Sequence, residues 1–298
     1  MSLELRAIGG GQLPPFEPGA HLDLHLPNGL IRQYSLTNDW RERDRYVIGV
    51  ARVADSRGGS SFVHGNIRAG VQLTVRGPIN NFALDPRAER FLFIAGGIGV
   101  TPIMAMVRWC VANGKPWRLI YAARSRQRAA FYEELCGLTG DSAQFHFDDE
   151  CGQMLDVANA IAGWNEGEWI YCCGPGPLMD SVKALTGHLP AGTVRFEWFT
   201  TPEADEPRES NAFKVRLQRS GVEFDVPEHK SILEVLEENG IEHPFSCREG
   251  LCGTCLTNVL SGEPDHRDYV LSDEERDSGK LMTICCSRSK SPQLTLDL

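Results

Sequence analysis

Cysteines near the C-terminus constrain the fold of this chain more than any other feature. Five of its ten cysteines lie in the last 52 residues. Three of these share the segment SCREGLCGTC in the spacing C-x4-C-x2-C, as Cys247, Cys252 and Cys255. A further pair, Cys285 and Cys286, follows in MTICCSRS, 30 residues after Cys255. A triad of this spacing with a distant fourth cysteine is the ligand pattern of a plant-type 2Fe-2S cluster.

A zinc site and buried free thiols are the alternatives to a cluster. Zinc ligands usually come as two close pairs, whereas this pattern is a triad plus one, so the spacing favours the cluster. Gly250 and Gly253 permit the sharp turn that three ligands from one loop require. The residues alone leave open whether Cys285 or Cys286 is the fourth ligand.

The segments before the cysteines predict a small β-grasp domain. FKVRLQRSGVEFDVP alternates apolar and polar residues around Ser220-Gly221, which predicts a β-hairpin. SILEVLEENG predicts a helix with Ser231 as N-cap, Glu234 as its capping-box partner and Gly240 as the C-terminal stop.

The centre of the chain predicts a nucleotide-binding unit. RFLFIAGGIGVTPIMAMVRWCVANG reads as a strand, a turn containing Gly96, Gly97 and Gly99, and a helix from Thr101-Pro102 to Gly114. Such glycines let the backbone approach a pyrophosphate at the positive end of the helix. A tight strand-helix connection without a ligand is the alternative.

Later segments repeat the alternation of strand and helix. WRLIYAAR (117–124) and EWIYCCGPGPLMDSVKALTG predict two more strands, the second ending at Cys173-Gly174-Pro175. FHFDDE (145–150) predicts another strand, followed by carboxylates that belong either to a solvated loop or to a cofactor contact. The alternation implies a parallel sheet with its ligand at the carboxyl ends of the strands.

Residues 15–84 predict a small antiparallel barrel, because short alternating runs such as AHLDLHLP and RYVIGVAR are separated by Gly, Pro and Asn. RQYSLTND (32–39) and DSRGGSSFVHGN (55–66) combine arginine, aromatic and hydroxyl side chains with paired glycines. These groups bind a ring and its phosphate. Polar turns are the alternative for each segment.

Composition excludes several classes of protein. The length of 298 residues suits two or three domains, and a net charge of −10 argues against nucleic-acid binding. The start, MSLELRAIGG, lacks the pattern of a secretory signal, which predicts a cytoplasmic protein. The longest apolar run, 91–107, is broken by glycines and a proline, so no membrane span is expected.

Seven of these motifs, in this order, resemble the phthalate dioxygenase reductase family, the class IA reductases that serve Rieske oxygenases and O-demethylases such as vanillate demethylase. They are RQYSLTND, SRGGS, GGIGVTPI, CGPGPLM, SCREGLCGTC, GEPDHRDYVLS and MTICCSRS. The resemblance spans nearly the whole chain. It implies an antiparallel flavin-binding β-barrel at 1–84, an α/β nucleotide domain at 85–200, a linker at 201–211 and a β-grasp ferredoxin domain at 212–298.

The resemblance also implies the cofactors FMN, NADH and a 2Fe-2S cluster, and it assigns residues to each. FMN would be bound by Arg32, Tyr34, Ser35, Gly49, Val50, Ala51, Gly58, Gly59, Ser60, Thr101 and Phe199. NADH would be bound by Gly96, Gly97, Gly99, Cys173, Gly174 and Pro175. The cluster ligands would be Cys247, Cys252, Cys255 and Cys285. Ser35, near flavin N5, and Cys173, near the nicotinamide, are the expected catalytic residues.

The implied activity is that of an oxidoreductase that carries electrons from NADH through FMN and the cluster to a Rieske-type oxygenase, and a monomer is expected. The family normally has about one more strand before LELRAIGGGQLPPF, so we expect either a truncated start or another segment at that edge. An FAD- and NADPH-dependent reductase for a di-iron hydroxylase or cytochrome is the main alternative. Arg124, Arg126 and Arg128 are the basic residues that NADPH would need. The third alternative is a redox-silent binding protein that uses these domains as a scaffold.

Overall fold

The computed structural model of the protein describes residues 1–52, 58–201 and 210–298. Part of the predicted flavin-binding segment, 55–57, and most of the predicted linker, 202–209, lie outside the described residues. The chain divides into two compact units, Met1–Phe199 and Thr200–Leu298. Both predicted N-terminal domains fall within the first unit, so their boundary at 84/85 stays a prediction.

The N-terminal part of the first unit is built from antiparallel strands. Their bounds are β1 Ser2–Leu5, β2 His21–His25, β3 Ile31–Ser35, β4 Tyr46–Gly49 and β5 Thr74–Ile79, and helix α1 (Gly59–Asn66) lies between β4 and β5. The strands form one sheet of order β3-β2-β5 and a β1-β4 pair, which a bridge between Leu36 and Ile48 connects. Leu22 and Leu24 of β2 are fully buried in the core that fills this module.

A five-stranded parallel sheet follows in the same unit. Its strands are β6 Arg90–Gly96, β7 Trp117–Ala123, β8 Ala143–Phe147, β9 Glu168–Cys173 and β10 Val194–Glu197, in the order β10-β9-β6-β7-β8. The helices are α2 Val100–Asn113, α3 Tyr132–Thr139, α4 Asp148–Cys151, α5 Val157–Ile161 and α6 Gly176–Thr186. The α/β architecture predicted from the alternating strands and helices is therefore confirmed.

Strand β6 is the centre of this sheet because apolar residues cover both of its faces. Phe91 and Phe93 pack into the core on one face, while Leu92 and Ile94 pack into a second core on the other. Complete burial of one such side chain contributes roughly 1.5–3 kcal/mol. Helix α2 ends at Gly114, whose φ of 61° is the left-handed conformation expected of a C-terminal glycine stop.

The second unit has the predicted β-grasp organisation. Its strands are β11 Phe213–Leu217, β12 Glu223–Val226, β13 Leu256–Ser261, β14 Pro264–Asp265, β15 Leu281–Thr283, β16 Arg288–Ser289 and β17 Gln293–Leu296; its helices are α7 Ile232–Glu238 and α8 Asp273–Ser278. The main sheet has the order β12-β11-β17-β13-β15, and β14 pairs with β16. Strands β11 and β12 form the predicted hairpin. The predicted capping box of Ser231 and Glu234 begins α7.

Within the described ranges, no helix is both long enough and apolar enough to cross a membrane.

Candidate functional site

Ser35, Cys173 and a residue not singled out from the sequence, Glu197, lie together in the first unit. Ser35 ends β3, and its Oγ donates a hydrogen bond to Glu197 Oε2 over 3.5 Å. Glu197 ends β10 and pairs in register with Cys173 at the end of β9. The expected flavin-binding strand thus meets the carboxyl ends of the nucleotide-binding strands through a carboxylate.

Burial determines the charge state of this group of residues. It raises the pKa of the Glu197 carboxyl to about 8, against the opposing effect of the hydrogen bond from Ser35. Burial also raises the pKa of the Cys173 thiol well above its ordinary value, and Cys173 has no exposed surface. Both groups are therefore protonated at neutral pH.

Gly49, at the end of β4, lies against Thr101 in the first turn of helix α2. A methyl group added to Gly49 would lie 2.9 Å from Thr101 Cγ2 and 2.8 Å from the ring of Phe131. Phe131 has a left-handed backbone (φ 58°), which is rare for an aromatic residue. The predicted residues Gly49 and Thr101 are in contact, and Phe131 was missed because its backbone conformation leaves no signal in the sequence.

Arg32 packs against the N-terminus of helix α1. A Cβ on Gly59 would lie 2.6 Å from Arg32 Nε, so the Arg32 side chain lies directly against this glycine. Gly58, at the helix N-cap, has a left-handed φ of 84°. Ser60 lies in the first turn. A guanidinium beside the N-terminus of a helix is suited to hold a phosphate, so the site fits that end of FMN.

The remaining expected flavin residues have different surroundings. Tyr34 is half-buried against the barrel core, and Ala51 is partly exposed. Val50 is buried, and its backbone is hydrogen-bonded to protein: its N–H donates to the Met1 carbonyl, and its carbonyl oxygen lies 3.0 Å from His64 Nε2. Any contribution of Val50 to flavin binding would therefore come from its shape.

Phe199 is exposed over 39% of its surface. Its neighbours Phe196 and Trp198 pack against the core beside β9, with ring centroids 6.3 Å apart. Phe199 is thus the aromatic residue of this segment that is most available to a ligand.

The glycine turn after β6 contacts the end of β9. A Cβ on Gly99 would lie 2.2 Å from the carbonyl oxygen of Cys173, and one on Gly96 would lie 2.5 Å from Pro175. A Cβ on Gly174 would lie 3.0 Å from the backbone nitrogen of Gly96. Gly97 has a left-handed φ of 55° and open space around it. The six residues expected to bind the dinucleotide therefore converge at the carboxyl ends of two adjacent parallel strands, where such ligands bind.

A cavity of about 490 Å³ lies beyond the end of β7, lined by Arg126, Gln127, Ala129, Phe131, Tyr132, Glu133 and Glu134. Arg126 forms two hydrogen bonds, of 3.0 and 2.9 Å, to the carboxylate of Glu150. Its guanidinium also lies over the rings of Tyr132 and Phe147. The positive charge of Arg126 is therefore already paired, which the sequence did not reveal.

The four cysteines predicted as cluster ligands form two hydrogen-bonded pairs in the second unit. Cys247 N–H lies 3.5 Å from Cys252 Sγ, and a hydrogen bond from the Cys252 thiol lowers the pKa of Cys247 to about 7. Cys255 and Cys285 are likewise hydrogen-bonded through their thiols, which raises the pKa of Cys285. The four residues predicted as ligands are thus brought together.

Cys286 is hydrogen-bonded to Cys285 and also contacts residues outside the predicted ligand set. Its Sγ lies 3.2 Å from Thr283 Oγ1, and a Cβ added to Gly250 would lie 2.6 Å from it. Gly250 has a left-handed φ of 71°, so the loop closes over Cys286 only because this residue is glycine. Both adjacent cysteines therefore lie at the cluster loop, and Cys285 as the fourth ligand stays a prediction.

The arrangement of thiols fits a two-iron cluster. Each iron of a 2Fe-2S cluster needs two thiolates, and the structure has two thiol pairs. Among the described residues, no three Cys, His, Asp or Glu side chains are grouped around one ion position. Backbone N–H groups of Glu249 and Leu251 donate to Cys247 Sγ over 3.3 and 3.4 Å, as is usual around such clusters.

Comparisons with known protein families match both units. Residues 93–184 match the oxidoreductase NAD-binding domain, and residues 215–290 match the 2Fe-2S iron-sulfur cluster binding domain. Together with the fold, these matches define the chain as an oxidoreductase that combines a pyridine-nucleotide module with an iron–sulfur module.

Relatives match over the full length. Phenoxybenzoate dioxygenase subunit beta from Ectopseudomonas oleovorans is 48% identical, over 99% of this chain and 92% of its own. Phthalate dioxygenase reductase from Burkholderia cepacia is 43% identical, over 100% and 92%. A solved structure of phthalate dioxygenase reductase, described as modular for electron transfer from pyridine nucleotides to [2Fe-2S], matches with a TM-score of 0.71, 43% identity and the same coverage.

A type IV self-sufficient cytochrome P450 monooxygenase contains a similar module. Its solved structure matches with a TM-score of 0.93 and 38% identity, over all of this chain but 39% of that longer protein.

This chain belongs to the phthalate dioxygenase reductase family. Membership confirms the predicted multi-domain fold and the predicted electron-transfer reductase. It also confirms the predicted cofactor set of FMN, NADH and a 2Fe-2S cluster.

Proposed function

We propose that this chain is the NADH-dependent reductase component of a two-component system whose oxygenase is a Rieske-type aromatic dioxygenase or O-demethylase. Electrons would pass from NADH to FMN, then to the 2Fe-2S cluster, and finally to the oxygenase. The names of the full-length relatives, which are dioxygenase components, support this partner.

One observation carries the proposal: Ser35, Glu197 and Cys173 adjoin each other. Ser35 belongs to the strand expected to hold the flavin ring, and Cys173 to the strand end expected to hold the nicotinamide. The hydrogen bond from Ser35 to Glu197, and the register pairing of Glu197 with Cys173, support neighbouring sites for the two rings. Hydride transfer needs this proximity.

FMN, when bound, accepts a hydride from NADH and releases electrons singly, which is the chemistry that a one-electron acceptor requires. Arg32, Gly58, Gly59 and Ser60 would hold the phosphate of FMN. The ring would lie among three groups of residues: Tyr34 and Ser35, Gly49 to Ala51, and Thr101 with Phe199.

Ser35 would orient the reacting edge of the flavin, and Glu197 would hold a proton on its carboxyl beside Ser35 at neutral pH. Gly96, Gly97 and Gly99 would bring the backbone close to the pyrophosphate of NADH. Gly174 and Pro175 would form the wall beside the nicotinamide, and Cys173, which has no exposed surface, would pack behind them.

Cys247 and Cys252 would ligate one iron of the cluster, and Cys255 and Cys285 the other. We further propose that the protein is cytoplasmic and monomeric. All ten cysteines are free, which suits a compartment that keeps thiols reduced.

An absorption spectrum of anaerobically purified protein, with chromatography of the released flavin, tests the proposal. We expect flavin and iron–sulfur bands, released FMN, and bleaching of both bands by NADH. Released FAD, or reduction by NADPH alone, would instead support the alternative reductase for a di-iron hydroxylase or cytochrome. A colourless protein would overturn the proposal.

A further inference from the structure

Arg248 directly follows the ligand residue Cys247 and has a left-handed backbone, with φ 60°. Phe131 is the other non-glycine residue with a positive φ among those the structure describes. This conformation is unfavourable for a residue with a side chain, so other interactions must hold Arg248 in place.

Two side chains provide these interactions. The guanidinium of Arg248 donates through Nη1 and Nη2 to the carboxylate of Glu237 on helix α7, over 3.0 and 2.6 Å. The same guanidinium lies over the ring of Phe245, with its Cζ 4.0 Å from the ring centroid. We call Arg248, Glu237 and Phe245 the Arg248 clamp. Its two-point ion pair has the geometry in which Arg and carboxylate interact most strongly.

The clamp acts on the backbone that surrounds Cys247. The left-handed turn at Arg248 is followed by the amides of Glu249 and Leu251, which donate to Cys247 Sγ over 3.3 and 3.4 Å. Hydrogen bonds to a ligating sulfur stabilise negative charge, and the reduced cluster carries one more negative charge than the oxidised one. Such hydrogen bonds therefore raise the reduction potential.

We infer that Arg248 is a positioning residue that keeps the amides of Glu249 and Leu251 on Cys247 Sγ and thereby raises the reduction potential of the cluster. The inference rests on the proposed function, because Cys247 must hold the cluster. The positive charge of Arg248 acts on the potential in the same direction, so a test must separate charge from position.

Glu237→Gln separates the two effects because they have opposite signs. The substitution removes a negative charge near the cluster, which by electrostatics alone raises the potential. It also weakens the ion pair that holds Arg248, which by the positioning effect lowers the potential. Glu238→Gln is the matched control: it removes the same charge from the next residue of α7, whose carboxylate pairs with Lys230 over 2.7 Å.

Redox titration of the holoprotein, followed by electron paramagnetic resonance of the reduced cluster, measures the potential. In Glu237→Gln we expect the ratio of reduced to oxidised cluster at a fixed potential to fall at least threefold, a shift of about 28 mV at 59 mV per decade. In Glu238→Gln we expect the ratio to stay the same or rise. An unchanged or raised ratio in Glu237→Gln would overturn the inference.

Hydrogen exchange of the oxidised protein provides a second readout. We expect the amides of Glu249 and Leu251 to exchange at least tenfold faster in Glu237→Gln and at the wild-type rate in Glu238→Gln. Arg248→Gly, in which glycine accepts the left-handed backbone, tests the side chain without strain and should retain the cluster at a lower potential. Equal exchange rates of these two amides in the wild type and in Glu237→Gln would contradict a positioning role.

A wild-type protein without iron would overturn the proposed function, and this inference with it. A wild-type cluster whose potential does not fall in Glu237→Gln would overturn this inference alone.

Discussion

The adjacent residues Cys285 and Cys286 have different roles in this account. Cys285 is hydrogen-bonded to Cys255 and Cys286, and Cys286 also contacts Thr283 and the loop at Gly250. We therefore expect Cys285→Ser to lose the 2Fe-2S absorption bands and at least about tenfold in bound iron, since a neutral hydroxyl is a poor iron ligand. Iron analysis and visible spectroscopy of the purified variants measure this.

Cys286→Ser is the matched control for that prediction. It should keep the cluster, because serine preserves the size and the hydrogen bond to Thr283. Loss of iron from Cys286→Ser, with retention in Cys285→Ser, would reverse the ligand assignment.

The raised pKa of Glu197 predicts a pH dependence of stability. Its carboxyl has a pKa of about 8 in the folded protein and an ordinary value when unfolded. The unfolded chain therefore loses this proton first as pH rises. Stability associated with protonated Glu197 is complete at acidic pH and declines between about pH 4.5 and pH 8.

We expect Glu197→Gln, which cannot ionise, to remove this decline. From pH 5 to pH 9 the free energy of unfolding of the wild type should fall by roughly 1–3 kcal/mol relative to the variant, since the carboxyl is only partly buried. Chemical denaturation of flavin-free protein at several pH values measures the difference. Parallel pH profiles of the two proteins would show that Glu197 ionises normally.

Single residues differed in how far the sequence could predict them. Ser35 and Cys173 were expected to be functional because they stand in the segments RQYSLTND and CGPGPLM. Glu197 was missed because its importance depends on the pairing of β10 with β9, and on a hydrogen bond to a residue 162 positions away. Local patterns do not specify contacts over such separations.

At the scale of elements, the turn between β6 and α2 has a steric requirement that can be tested. The Cβ of Gly99→Ala would lie 2.2 Å from the carbonyl oxygen of Cys173, which is backbone and cannot move aside easily. We expect this variant to lose about 2 kcal/mol or more in free energy of unfolding and to raise the KM for NADH.

Gly176→Ala is the control, because a Cβ at that position has open space and no left-handed φ. It should be close to neutral in thermal denaturation and in steady-state kinetics. Equal stability of the two variants would show that the turn does not pack tightly on β9.

The ion pair of Arg126 and Glu150 joins the segments that follow β7 and β8. This ion pair favours binding of NADH over NADPH. A 2′-phosphate would have to displace Glu150 to use the charge of Arg126, and Glu133 adds a carboxyl group to the lining of the cavity. We expect Glu150→Gln to raise kcat/KM for NADPH about tenfold, with little change for NADH.

The double variant Glu150→Gln/Arg126→Ala should lose that gain, because the arginine released by the first substitution is then absent. Steady-state kinetics with both nucleotides measure the ratio. A wild type that prefers NADPH, or a ratio unchanged by Glu150→Gln, would contradict this view of the two strand ends.

The elements themselves were largely predictable where their signals are local. The β11–β12 hairpin follows from alternation around Ser220-Gly221, and the start of α7 follows from the capping box at Ser231. Strand β11 pairs in parallel with β17, and the two segments are about 80 residues apart in the chain. The register of this pairing was not predicted from the sequence. Such pairing depends on tertiary packing of apolar side chains. The sequence of one strand does not specify which other strand it will pair with.

At the scale of the whole molecule, the expected electron path divides between the two compact units. The first unit contains the expected sites for NADH and FMN, and the second contains the two thiol pairs. Composition and periodicity predicted modules of these types. The identity of the flavin followed from the resemblance to a known family.

Anaerobic titration of the purified protein with NADH tests the central claim most directly. FMN accepts two electrons and the cluster accepts one, so full bleaching of both sets of bands should require about 1.5 equivalents of NADH per chain. Bleaching of the flavin alone at about one equivalent, with iron–sulfur bands absent or unchanged, would contradict electron transfer from NADH through the flavin to the cluster.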